Sequence, residues 1–198
     1  MSISLQKGQK VSLSKENAGL SKVLVGLGWD EVQRPKKLFA PKPQPIDCDA
    51  SALVLRGGKL MDKADIIYFG NLRHPSGTIQ HMGDNLTGAG EGDDEQVKID
   101  LSLMPADITK VAFTATIYEA EARRQNFGQV SNAFIRIYNE ETGEELLRYD
   151  LGEDFSIETA VVFGELYKNG NEWKFNAIGS GYQGGLAALC ANYGVEVG

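Results

Sequence analysis

Residues 83–96, Gly-Asp-Asn-Leu-Thr-Gly-Ala-Gly-Glu-Gly-Asp-Asp-Glu-Gln, form a stretch that cannot be buried. Five of the fourteen are acidic, four are glycine, and Leu86 is the one apolar residue larger than alanine. Such a run has no hydrophobic face for a core strand or an amphipathic helix, so it must lie at the surface as a connection. Its flanks are strand-like. Thr78 to Met82 leads in, and Glu95 to Leu101 leads out with Val97, Ile99 and Leu101 alternating.

The rest of the chain repeats that pattern. Two short strand pieces lie within residues 3–14 around Lys7-Gly8. Further strand-like runs cover Lys22–Trp29, Ile46–Leu55, Asp65–Asn71, Lys110–Glu119, Asn132–Asn139, Glu145–Leu151, Thr159–Tyr167 and Glu172–Ile178. Gly57-Gly58, Glu140-Glu141-Thr142-Gly143 and Lys168-Asn169-Gly170-Asn171 supply turns, the last with an Asn-Gly hairpin signal. Gly179 to Gly185 is glycine-rich, and Leu186–Tyr193 reads as a short closing helix. Roughly ten closely spaced strands with few helices predict an all-β fold. The expected architecture is an antiparallel β-sandwich of two sheets, in one domain over 1–198, with short helical connections and a short C-terminal helix.

Charge narrows the function. The net charge is −7, and the acidic stretch carries five of those charges, leaving the remainder near balance. No concentrated basic surface is available for sequence-independent nucleic-acid binding. No apolar run of 18 residues exists, so no membrane span is expected. The N-terminal residues lack the apolar core of a signal peptide. Cys48 and Cys190 match no zinc or redox spacing; they read as reduced thiols of a cytoplasmic protein, with a disulfide between them left open. Residues 34–45 hold four prolines and four basic side chains, the pattern of an exposed extended loop.

Crowded carboxylates call for a counter-charge. A hard cation such as calcium takes about six to eight oxygen ligands, and the stretch offers Asp84, Asn85, Thr87, Glu91, Asp93, Asp94 and Glu95. Its glycines let the backbone fold tightly enough for carbonyls to join. It is no EF-hand, because strand-like segments rather than two helices flank it. The competing reading is a solvated acidic loop. At period two, Asp47, Asp49 and Ser51 share one face of a strand whose other face is apolar, an arrangement that would complete a metal cage against the acidic stretch. Asp30 ends an apolar run, as a turn residue or a ligand.

Other chemistry is weaker. Arg123-Arg124-Gln125-Asn126 offers paired guanidinium groups for a nucleotide or oxyanion, against the reading of an exposed turn. His74 and His81 form no zinc motif, and no nucleophile elbow is present, so a hydrolase is disfavoured.

Several long segments together resemble the TerD family of bacterial tellurium-resistance and general stress proteins. They are Val25-Gly-Leu-Gly-Trp-Asp30, Asp47-Cys-Asp-Ala-Ser51, the run Gly83–Glu95, Glu121–Asn132, Phe163-Gly-Glu-Leu-Tyr167, Trp173-Lys-Phe and Gly184-Gly-Leu186. The resemblance implies a two-sheet sandwich that binds calcium through the acidic loop and neighbouring strand ends, with no catalytic activity. The implied donors are Asp30, Asp47, Asp49 and Asn71 from strand ends, with Asp84, Asn85, Glu91, Asp93, Asp94 and Glu95 from the loop. It also implies stress-linked roles beside other tellurium-resistance proteins, one of them membrane-embedded. One departure is local: Ile46 and Cys48 stand where the family pattern Phe-Asp-Leu-Asp-Ala-Ser has other apolar residues, and the approach is basic and proline-rich.

Overall fold

The computed structural model describes residues 2–31, 44–83 and 92–196. Apolar residues at period two give most of these segments one buried face as strands, and Cys48–Leu55 and Lys110–Ile117 are buried on both. Twelve strands form among the described residues: β1 (Ile3–Leu5), β2 (Lys10–Ser12), β3 (Lys22–Glu31), β4 (Cys48–Leu55), β5 (Ile66–Ile67), β6 (Ile79–His81), β7 (Glu95–Asp100), β8 (Lys110–Ile117), β9 (Val130–Asn139), β10 (Glu145–Asp150), β11 (Ala160–Asn169) and β12 (Glu172–Tyr182). Three short helices accompany them: α1 (Leu13–Glu16), α2 (Ala120–Arg123) and α3 (Gly185–Asn192).

The strands make two six-stranded sheets. The first runs β1-β10-β9-β3-β7-β6 and the second β2-β12-β11-β8-β4-β5. The second sheet is antiparallel throughout. The first is mixed, which corrects the expectation of a purely antiparallel fold: β1 pairs in parallel with β10, Ile3 opposite Leu147. A three-residue edge strand carries too little pattern to reveal its partner or direction.

Inward side chains from both sheets belong to one buried cluster. Val23, Val25 and Leu27 of β3 and Ile135 and Ile137 of β9 share it with Ala50, Ala52 and Val54 of β4 and Phe113 of β8. The opposite face of β4 and β8 presents Leu53, Leu55 and Ala112, which cluster with Cys190 of α3, while Leu189 packs with Ala160 and Val162. The closing helix therefore roofs part of the outer face of the second sheet.

The hairpins form where turn chemistry places them. Gly170, at φ 61°, opens the two-residue turn between β11 and β12, so glycine rather than asparagine takes the left-handed conformation. At the other hairpin the Asn139 side chain accepts from the amides of Glu141 and Thr142. The run Asp65–Asn71 is not one strand. Asp65 ends a 3-10 turn (Lys63–Asp65) boxed by Asp62, β5 is two residues long, and the chain doubles back between Tyr68 and Asn71. Of the proline-rich segment 34–45, only Gln44 and Pro45 are among the described residues.

Candidate metal centre

The two described ends of the acidic stretch meet at His81 and Glu95. Both side chains are buried, at 1% and 2% exposure. The Gly83 amide donates to His81 Nδ1 at 3.1 Å, which fixes the tautomer with the proton on Nε2. That Nε2–H donates to Glu95 Oε2 at 3.1 Å. The same oxygen accepts from the Ala50 amide of the other sheet at 2.6 Å. Strand β5 pairs only with Ala52 and Leu53, so it leaves the edge of β4 at Ala50 open to this carboxylate. Two donors from different sheets thus hold one oxygen of Glu95.

Asp93 and Asp94 diverge. Asp93 accepts from Arg136 Nε at 2.5 Å and from Gln96 Nε2 at 2.9 Å. Gly26 makes room for it, since a Cβ there would overlap the carboxylate. Arg136 is held over the rings of Phe134 and Tyr138, 5.3 and 4.9 Å from their centroids. Asp94 instead accepts from the Trp29 amide at 2.7 Å, while its own amide donates to the Leu27 carbonyl. Burial pushes the Asp94 carboxyl above its ordinary range against the pull of the Trp29 amide, and the nearby Asp30 and Asp93 push it further. Asp30 is exposed past the β3 bulge and accepts from Asn132 Nδ2 at 2.9 Å.

On β4 the alternation read from sequence is real. Cys48 faces the core with Ala50, while Asp49 and Ser51 line a cleft on the outer face. The Cys48 thiol is pushed well up, first by burial and then by the charges of Asp49, Asp47, Glu95 and Asp94. Arg123 lies 3.8 Å from Asp47, pairs with Glu119 at 3.0 Å and stacks over Tyr118. Its guanidinium thus already has two carboxylate neighbours. Gln125 Nε2 donates to the carbonyls of Gln44 and Pro45, holding the exit of the proline-rich segment. Asn71 sits in the doubled-back turn, with its Nδ2 donating to the Ile66 carbonyl at 2.9 Å and the Ala64 carbonyl at 3.4 Å.

Asp84, Asn85 and Glu91 lie outside the described residues. Among those described, no three His, Cys, Asp or Glu side chains converge as a metal site. The donor chemistry nonetheless fits a hard cation at the rim: burial and then the charges of Asp30 and Asp93 disfavour the Asp94 anion, and its neighbour Glu95 is fixed in place. Sequence reasoning named these carboxylates and missed the groups that hold them. Arg136 is 43 residues from Asp93, and Ala50 is 45 from Glu95. It also missed the buried pair His74 and Asp65, 3.0 Å apart, where Asp65 further binds Arg56 at 2.7 Å. Both cysteines are free and buried, which settles the open disulfide question.

Residues 1–193 match the model of the TerD domain. The chain is 58% identical over 199 residues to general stress protein 16U of Bacillus subtilis (strain 168), covering all of both chains. It is 51% identical over 197 residues to tellurium resistance protein TerD of Alcaligenes sp, covering 99% of each. A crystal structure of a protein of unknown function, SAV2460, superposes with a TM-score of 0.68 at 26% identity, over 87% of this chain and 95% of that one.

Proposed function

The chain belongs to the TerD family of tellurium-resistance and general stress proteins, and we propose that it acts there as a calcium-binding scaffold rather than an enzyme. The observation that carries this reading is the placing of Asp94 and Glu95 at the described end of the acidic stretch, Asp94 held by the Trp29 amide and Glu95 by the Ala50 amide and His81. Burial disfavours the Asp94 charge, and a bound cation would offset that cost. Asp30, Asp94 and Glu95 are the donors proposed from the described rim, with Asp47 from just before β4, and with Asp84, Asn85 and Glu91 from the acidic stretch; Asp49 faces the outer cleft instead. Asp93 is assigned to bracing through Arg136, and Asn71 to the turn that it closes.

Bound calcium would supply charge neutralisation and order to the acidic stretch, and would stabilise the folded chain by mass action. His81 and the Ala50 amide orient Glu95, and the Trp29 amide orients Asp94. The shared core supports reading the two sheets as a sandwich that presents the ordered stretch at one rim. No helix among the described residues is long and apolar enough to cross a membrane. We place the protein in the cytoplasm, where the stretch would be recognised by other tellurium-resistance proteins, including a membrane-embedded one.

Calorimetric titration of the chelator-stripped chain tests the proposal, with magnesium as control and thermal melts alongside. The expected result is saturable, calcium-selective binding with a raised melting temperature, weakened about tenfold or more in Asp94→Asn. Absence of heat and of any thermal shift would make the stretch a solvated acidic surface.

A further inference from the structure

The outer face of the second sheet carries a cleft of about 600 Å3, within the range of small-molecule sites. Its floor is Asp49 and Ser51 of β4 with Thr116 of β8, and its walls are α2, the Tyr68-Phe69 turn and the start of α3. Ser51 is 1% exposed, and its hydroxyl has no hydrogen-bond partner among the described residues. A buried hydroxyl left unmatched costs stability, so it points to a missing partner.

The two sides of the cleft differ in charge. On the β4 side stand the carboxylates of Asp49 and, from α2, Glu121. On the β11 side α3 begins. The Gly184 and Gly185 amides donate to Thr159 Oγ1, each at 3.1 Å, which fixes the first turn. The next two amides, of Leu186 and Ala187, meet no acceptor among the described residues, and both residues line the cleft. A helix start with open amides favours a carboxylate. Register sets the span: Asp49 lies opposite Thr116, and Thr116 opposite Ala160, beside Thr159. Two strand spacings separate the acidic and amide sides, about 10 Å between backbones. Side chains and a hydrogen bond at each end reduce that to the width of a small doubly charged head group. Phe69 and Tyr118, 45% and 44% exposed, stand at the rim where an apolar substituent would lie.

We propose that this cleft binds a free α-amino acid with an apolar side chain, its carboxylate on the Leu186 and Ala187 amides, its ammonium against Asp49 and Glu121, and Ser51 completing the contact. The side chain lies against Phe69 and Tyr118. The site is independent of any cation at the rim, and a protein that binds no calcium would leave it standing.

Titration calorimetry of the full chain with L-phenylalanine tests it, beside 2-phenylethylamine, which lacks the carboxylate, and 3-phenylpropionate, which lacks the ammonium. L-phenylalanine is expected to bind saturably, and each analogue about tenfold more weakly or worse. Ser51→Ala is expected to raise the melting temperature of the free protein, by removing an unmatched buried hydroxyl, and to weaken L-phenylalanine binding about tenfold. Glu121→Gln, at an exposed position, keeps the fold and also weakens binding. No binding of L-phenylalanine up to about 20 mM, equal binding of either analogue, or unchanged affinity in both variants would overturn the proposal.

Discussion

At Gly26 a single methyl group would land on the Asp93 carboxylate, which is pinned from two other sides by Arg136 and Gln96. Neither partner can give way without breaking a hydrogen bond. Gly26→Ala is therefore expected to cost about 1–3 kcal/mol, as overpacking does, seen as a lower midpoint in urea with an unchanged slope. The neighbouring His81 acts differently, because it holds a proposed donor rather than a brace. His81→Gln keeps an amide that can reach Glu95, whereas His81→Asn imitates only the ring nitrogen that accepts from Gly83. Calcium affinity in His81→Asn should fall about tenfold or more, with His81→Gln nearer the parent. Equal affinities in a calcium-binding parent and His81→Asn would reduce His81 to a packing residue. Much at this scale was legible in advance: the period-two placement of Asp47, Asp49 and Ser51 follows from the pleat alone. The fate of Asp93 was not legible, because it depends on Arg136, brought close only by the pairing of β9 with β3.

Among the elements, segment 63–71 departs furthest from its sequence pattern. Ile66, Ile67, Tyr68 and Phe69 read as a continuous strand, yet local polar bonds win. Asp62 boxes the 3-10 turn, and the Asn71 amide ties back to Ala64 and Ile66. Sequence patterning sees apolar runs but not a side chain that competes for backbone carbonyls. Hairpins were easier, since Gly143 and Gly170 supply positive φ where the chain reverses. Asn71→Ala is expected to destabilise the protein by about 1–2 kcal/mol while leaving calcium affinity unchanged; a loss of affinity would return Asn71 to the ligand set. The same segment sets part of the acid sensitivity. Burial pushes the Asp65 carboxyl up, but Arg56, His74 and the Met61 amide outweigh it and hold the group below its ordinary value. A depressed carboxylate stabilises the fold above its unfolded pKa of about 3.9 and loses that contribution as pH falls through the native value. Asp65→Asn should thus flatten the fall in stability below about pH 4, measured by urea midpoints across that range.

For the whole molecule, the two thiols report separately on the two packed layers. Cys48 lies in the core shared by both sheets, and Cys190 lies beneath the roof that α3 makes over the second sheet. Burial lifts the Cys190 thiol to about 11, so at pH 8 roughly one molecule in a thousand carries the thiolate. Cys48 is lifted by burial and then by the charges of four carboxylates, so it too is protonated there. Neither should react with a disulfide reagent in the folded state, and both should react once the chain is unfolded. The routes to exposure differ. Cys190 needs only the eight-residue helix α3 to undock, whereas Cys48 needs the sheets to part. Local opening costs less than global unfolding, so Cys190 should label first, at denaturant concentrations below the global midpoint. Cys48 should label with the main transition. If calcium binds at the rim, it raises the cost of global opening by mass action, and it should slow Cys48 far more than Cys190. Equal slowing of both would place the stabilised unit across α3 as well. Labelling of Cys48 ahead of Cys190 would mean that the shared core opens before its roof, contrary to the packing found here.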